Sequence, residues 1–103
     1  MKRETTASSV PPSARSAAIA ILDGVLYRRR PLDHVLADAA RNGGLEQLEP
    51  RDRAFARNLV STVLRRLGQI DQVLEQCLEK PLPPTHHRIY DLLRVGAAQL
   101  LFL

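Results

Sequence analysis

Four stretches of the chain place apolar residues at the spacing of a helix face. Ala14, Ala17, Ala18, Ile21, Leu22, Val25 and Leu26 follow each other at steps of three and four, the repeat that gathers residues along one side of an α-helix. Ser13 stands where an N-cap belongs. This helix is expected to end near Arg28-Arg29-Arg30, before Pro31, with three cations closing a last turn whose dipole favours them. Leu32, Val35, Leu36, Ala39 and Ala40 repeat the spacing over a shorter helix that Asn42-Gly43-Gly44 stops. Residues 45–49 read as a connector, and Pro50 suits a first helical turn, where its missing N–H is no loss.

The third stripe is the longest. Phe55, Ala56, Leu59, Val60, Val63, Leu64 and Leu67 lead on to Ile70, Leu74, Cys77 and Leu78, and Gly68 either kinks the element or splits it in two. Lys80-Pro81-Leu82-Pro83-Pro84 ends it, because proline cannot continue the hydrogen-bond ladder. Thr85 is then expected to cap a last helix. Its face would carry Ile89, Leu92, Leu93, Gly96, Ala97, Leu100 and Leu101, with Tyr90, Val95, Ala98 and Phe102 around it. So apolar a helix should be the most buried, and Gly96 reads as a place of close approach, since glycine inside a helix otherwise costs about 1 kcal/mol.

No stretch alternates with period two, so the expected fold is all-α, a helical bundle over residues 13–103 preceded by a flexible arm of residues 1–12. The chain stops at Leu100-Leu101-Phe102-Leu103, inside its most apolar segment. A terminal carboxylate there would be costly to bury, which suggests a bundle truncated before its last helices.

Composition adds a direction. With only Tyr27, Phe55, Tyr90 and Phe102 as aromatics, the core must come from Leu, Ile, Val and Ala. Net charge is +4, and of 15 basic residues only Lys2 and Lys80 are lysine. Arginine's planar fork pairs with phosphate at two points, although a GC-rich genome gives the same bias. Position separates the two accounts. Arg57 and Arg65 fall on the polar side of the third stripe with Asn58, Ser61 and Thr62; Arg51 and Arg66 flank that side, and Arg53 lies nearer its border. Between residues 50 and 70 the only acid is Asp52. A strip of arginines with hydroxyl and amide groups between them, and little negative charge, is what a phosphate-contacting face needs. Arg15 opens the first helix behind Lys2 and Arg3 on the arm.

The remaining chemistry is sparse. Cys77 reads as a small buried hydrophobe rather than a nucleophile. His86 and His87 are read as a surface first turn without a ligand partner, His34 is isolated, and no glycine-rich phosphate loop appears. The expectation is no enzyme in this chain, no metal and no cofactor. A lone cysteine and no apolar run of membrane length point to a reducing, cytoplasmic compartment. Asp52 falls within the apolar stripe; either it meets the helix dipole or it pairs with an arginine of a neighbouring helix, for which Arg94 is the candidate.

Several of these residues also stand in a known order. Ala14-Arg15 opening an Ala-rich helix, Asp52-Arg53-Ala54-Phe55, Val63-Leu64-Arg65-Arg66-Leu67, Lys80-Pro81-Leu82 and the run from Leu92 to Leu103 resemble the NusB-like domain. The version resembled is that at the N-terminus of bacterial 16S ribosomal RNA cytosine-5 methyltransferases. The resemblance covers roughly residues 14–103. It implies an all-α bundle that binds ribosomal RNA, followed in the same polypeptide by a methyltransferase domain using S-adenosylmethionine, whose catalytic cysteines are not matched by Cys77. Free-standing NusB antitermination factors, which act on RNA with a ribosomal-protein partner, resemble the chain in the Arg15 helix and the Leu92–Leu101 segment, and that resemblance implies an RNA contact at the start of the first helix, where Arg15 is the matching position. A helical interaction module that binds no RNA is the alternative left by composition alone.

Overall fold

The computed structural model describes residues 13–42, 44–80 and 82–103; the expectations that fall on residues 1–12, on Gly43 and on Pro81 lie outside them. In chain order the elements are α1 (Ala14–Leu22), a π-helical turn (Asp23–Tyr27), α2 (Leu32–Asn42), α3 (Pro50–Arg65), α4 (Leu67–Cys77), a 3-10 turn (Pro84–His86) and α5 (His87–Phe102). There is no strand among the described residues, so the all-α fold that the periodicity predicts is the one observed.

Ser13 caps α1 as expected, through a reciprocal box: its side chain accepts from the Ser16 amide at 3.0 Å, and Ser16 Oγ accepts from the Ser13 amide at 3.0 Å. The other end differs. The helix widens after Leu22, and the Arg28 amide donates to the Asp23 carbonyl at 3.1 Å while that of Arg30 donates to Gly24 at 3.0 Å. Arg29 takes the left-handed conformation, φ 58°, that usually calls for glycine after a helix. The three arginines therefore lie at and beyond the stop rather than inside the last turn. Gly24 is where α2 comes closest: a Cβ there would sit 3.1 and 3.2 Å from the Val35 methyls.

The long stripe is indeed two helices. Arg66, at φ −110° and ψ 20°, breaks it two residues before Gly68. Pro50 occupies the first turn of α3, and Ala56, Leu59, Val60, Val63, Ile70 and Leu74 are buried as predicted. The connector before α3 is not idle: Leu45 and Leu48 join the core. α3 packs chiefly against α1 and then against α5, so the core lies between Ala17, Ala18, Ile21 and Leu22 on one side and Val95 and Ala98 on the other. Each fully buried aliphatic side chain there contributes about 1.5–3 kcal/mol.

Five expectations are corrected. Cys77 is exposed, because α4 ends there and the stripe has rotated off the core. Thr62, placed on the polar side by its spacing, is fully buried, and its Oγ1 has no hydrogen-bond partner; nothing in the structure explains that atom. Thr85 lies within the 3-10 turn, and α5 starts only at His87. Most consequential is α5 itself. Its buried residues are Asp91, Val95 and Ala98, whereas Leu92 is 55%, Leu101 52% and Leu100 88% exposed. At about 100° per residue, the side turned inward is roughly opposite the predicted stripe. A Cβ on Gly96 would meet nothing within 4 Å, so Gly96 marks no close approach.

Candidate functional site

The arginines sort by what they touch. Arg30 and Arg41 share the carboxylate of Asp38 at 2.5 and 2.7 Å, and Arg28 approaches Asp23 at 3.5 Å. The Arg30 hydrogen bond holds the Asp38 carboxyl below the usual carboxylate range, against the smaller effect of desolvation. Arg94 bridges Asp71, at 2.8 and 3.0 Å, and Asp91, at 3.0 Å. That network spans α4 and α5.

A second group meets no acid among the described residues. Arg57 and Arg65 stand exposed along α3 with Asn58 and Ser61 between them, and Arg65 donates to Ser61 Oγ at 3.2 Å. Arg51 is exposed in the first turn. Arg15 donates to Gln99 Oε1 at 2.9 Å, and Arg66 donates to Gln69 Oε1 at 3.2 Å while lying 4.7 Å over the Phe102 ring. The last two are steered by α5 residues one turn apart, although 51 positions separate Arg15 from Arg66 in the chain. Arg53 differs from these five: its guanidinium turns inward and donates to the Leu48 carbonyl at 2.9 Å, closing the connector onto α3.

The Asp52–Arg94 pair is not formed. Arg94 is taken by Asp71 and Asp91, and Asp52 makes no ion pair among the described residues, which leaves its place in the first turn of α3 as its only visible electrostatic setting.

One cluster escaped the sequence reading. His87 is half-buried rather than on the surface, stacked on Tyr27 with centroids 3.6 Å apart and planes 8° apart. Its Nδ1 lies 2.7 Å from Asp23 Oδ1, and Asp91 completes the group from the next turn of α5. Burial pushes the Asp91 carboxyl up, and the Arg94 hydrogen bond only partly offsets this. The signal was legible: His87, Asp91 and Arg94 occupy one face of α5 at steps of four and three, so an acid does stand at ligand spacing from a histidine. Asp23, embedded among Ile21, Leu22, Val25 and Leu26, was the second sign.

Helices packed around α3, with arginines on its outer side that meet no acid among the described residues, define a helical domain with a cationic face. Residues 12–103 match the NusB family, and the chain belongs to that family. Over 100 residues it is 39% identical to the ribosomal RNA small subunit methyltransferase B of Xanthomonas campestris pv. campestris, an alignment covering 97% of this chain and 22% of that protein. The chain thus spans less than a quarter of the relative's length. No solved structure matches it. Among the described residues, no helix is long and apolar enough to cross a membrane.

Proposed function

We propose that this chain is the RNA-binding accessory domain of an S-adenosylmethionine-dependent 16S ribosomal RNA cytosine-5 methyltransferase, and that it helps a catalytic domain of the same polypeptide engage ribosomal RNA. The observation that carries this is the set Arg15, Arg51, Arg57, Arg65 and Arg66: exposed, without an acidic partner among the described residues, and interleaved with hydroxyl and amide groups. Exposed guanidinium groups without carboxylates are free to take phosphate in two-point contacts. Arg53, committed to a carbonyl, stands outside that set. The cofactor would be held by the catalytic domain, and no residue of this chain is assigned to it. The reading also gives a use to the exposed leucines of α5, Leu92, Leu100 and Leu101, which are suited to packing against another part of that polypeptide.

Binding of a 16S ribosomal RNA fragment, followed by fluorescence anisotropy across a salt series, tests the proposal. Affinity should fall steeply with salt, and Arg57→Gln with Arg65→Gln should lower the log–log slope by about 1.5–2, as the loss of two phosphate contacts requires. Adding Arg15→Gln and Arg66→Gln should lower it further while the helical circular dichroism is kept. A flat salt response, or an unchanged slope in the double variant, would remove the arginine face from the site. Binding that appears only with a ribosomal protein present would favour the antitermination type of activity instead.

A further inference from the structure

Around the junction of the π-helical turn with α5, three side chains carry donor atoms that the fold leaves unused. Asp23 and Asp91 are both buried, with side chains 7% and 2% exposed, and His87 lies between the two helices beside them. One donor from each residue lies within 4.8 Å of the others. Asp23 Oδ1, His87 Nδ1 and Asp91 Oδ2 all lack a hydrogen-bond partner; although the first two are 2.7 Å apart, they are not aligned as donor and acceptor. Among the described residues only one other buried side-chain atom, Thr62 Oγ1, is left in that condition. Orphaned polar atoms are uncommon inside proteins. Three of them converging from two helices call for a common partner.

Charge points to the sign of that partner. Arg94 serves Asp91 through Oδ1 and spends its other nitrogens on Asp71, and Arg28 reaches Asp23 only at 3.5 Å from a largely exposed side chain. The remaining oxygen of each buried aspartate therefore faces the histidine, and among the described residues no arginine or lysine pairs with it.

We propose that Asp23, His87 and Asp91 form a binding site for a single divalent transition-metal ion of the zinc class. Two carboxylates offset the charge of such an ion, and each ligand atom would be one that the fold otherwise strands. The imidazole selects the class: calcium and magnesium take oxygen ligands, whereas zinc, cobalt and their neighbours accept a mixed nitrogen and oxygen set. The surroundings hold the ligands in place. Tyr27 fixes the imidazole plane by stacking, and Arg94 anchors the other oxygen of Asp91, the kind of outer support that metal ligands usually have. A cleft of about 260 Å³, lined in part by Tyr27, His87, Tyr90 and Asp91, lies against two of the three ligands. The widened turn at Asp23–Tyr27 delivers both Asp23 and Tyr27 to this point, as such turns often do at functional sites. The ion would clamp the end of the first helix to the start of α5.

The test is titration of the 103-residue chain with Zn²⁺ by calorimetry and with Co²⁺ by visible absorption, with thermal melting alongside. One ion should bind per chain and raise the melting temperature, since a ligand that binds only the folded state stabilises it. His87→Ala should weaken binding at least about 100-fold, as should Asp91→Asn, while His86→Ala at the neighbouring exposed position should leave it unchanged. Should Asp91→Asn fail to fold, His87→Ala decides. Absence of stoichiometric binding, binding unaffected by His87→Ala, or binding lost in His86→Ala would each overturn the proposal.

Discussion

Replacing Arg94 with methionine would remove the cation that joins α4 to α5 while keeping most of its apolar stem. Two ion pairs are lost, and they are unequal. The Asp71 side chain is 38% exposed, so solvent screens its pair with Arg94, and that arm contributes at most about 1 kcal/mol. Asp91 is 2% exposed and has one oxygen without any other partner, so losing Arg94 leaves a buried charge uncompensated. Breaking a buried pair in this way costs about 3–5 kcal/mol, and the cation–π contact with Tyr90, at 5.4 Å, adds about 0.5–1 kcal/mol. The buried pair dominates, so the expected loss for Arg94→Met is at least about 3–5 kcal/mol, measured by urea denaturation in the presence of a chelator. Against the roughly 0.05–0.15 kcal/mol per residue that domains possess, such a loss leaves little margin. Asp71→Asn alone should cost about 0.5–1 kcal/mol, and Arg94→Met combined with Asp91→Asn should recover about 2 kcal/mol of the single-variant loss. If Arg94→Met cost less than about 1 kcal/mol, or the second substitution made matters worse, the network would not be the buried-charge device described.

Two further outcomes follow from single residues. Gly96→Ala should stabilise the chain by about 1 kcal/mol, because the new methyl meets nothing within 4 Å and the helix gains propensity; a measurable loss in the same urea assay would reveal a contact at that position. The Asp38 carboxyl should titrate below the usual value of about 3.9 when followed by carboxyl NMR, and Arg30→Gln should move it upward. Since its folded-state pKa is lowered, the stabilisation is present above that unfolded value and is lost as pH falls through the folded-state pKa; an unchanged midpoint in Arg30→Gln would assign the shift to other groups.

Much of the bundle is legible in the sequence because periodicity and local breakers agree. Ser13, Pro50 and the prolines after Lys80 mark ends by backbone chemistry alone, and the α3–α4 stripe has a strongly polar opposite side, so its orientation is unambiguous. The arginine face could be placed on α3 for the same reason, though not divided: that Arg53 turns inward while Arg57 does not depends on where the Leu48 carbonyl lands, which is a tertiary fact. The Arg28–Arg30 run misleads because cations after a helix and cations within its last turn look alike in sequence. The Asp23–His87–Asp91 cluster was only half written there. His87, Asp91 and Arg94 share a face by spacing, but Asp23 comes from 64 residues earlier and reaches them only because the bundle closes.

α5 shows why hydrophobicity alone can orient a helix wrongly. Leucines lie on nearly every side of it, so apolar area gives several rotations a similar claim on the core. What separates them is size and the placement of charge. The inward side carries Val95 and Ala98, small residues that let α5 approach α1 and α3, whose own contact residues include Ala17, Ala18 and Ala56. Bulky Leu92 and Leu100 at those positions would hold the helices apart and leave voids beside the alanines. The same rotation carries Asp91 to His87 and Asp23 and lets Arg94 reach Asp71 on α4, contacts that a turned helix would forfeit while leaving its charges to be desolvated unpaired. Burying an aspartate is thus compatible with the most favourable rotation because its partners are built into the neighbouring helices. The leucines left outside then follow from close packing on the inner side.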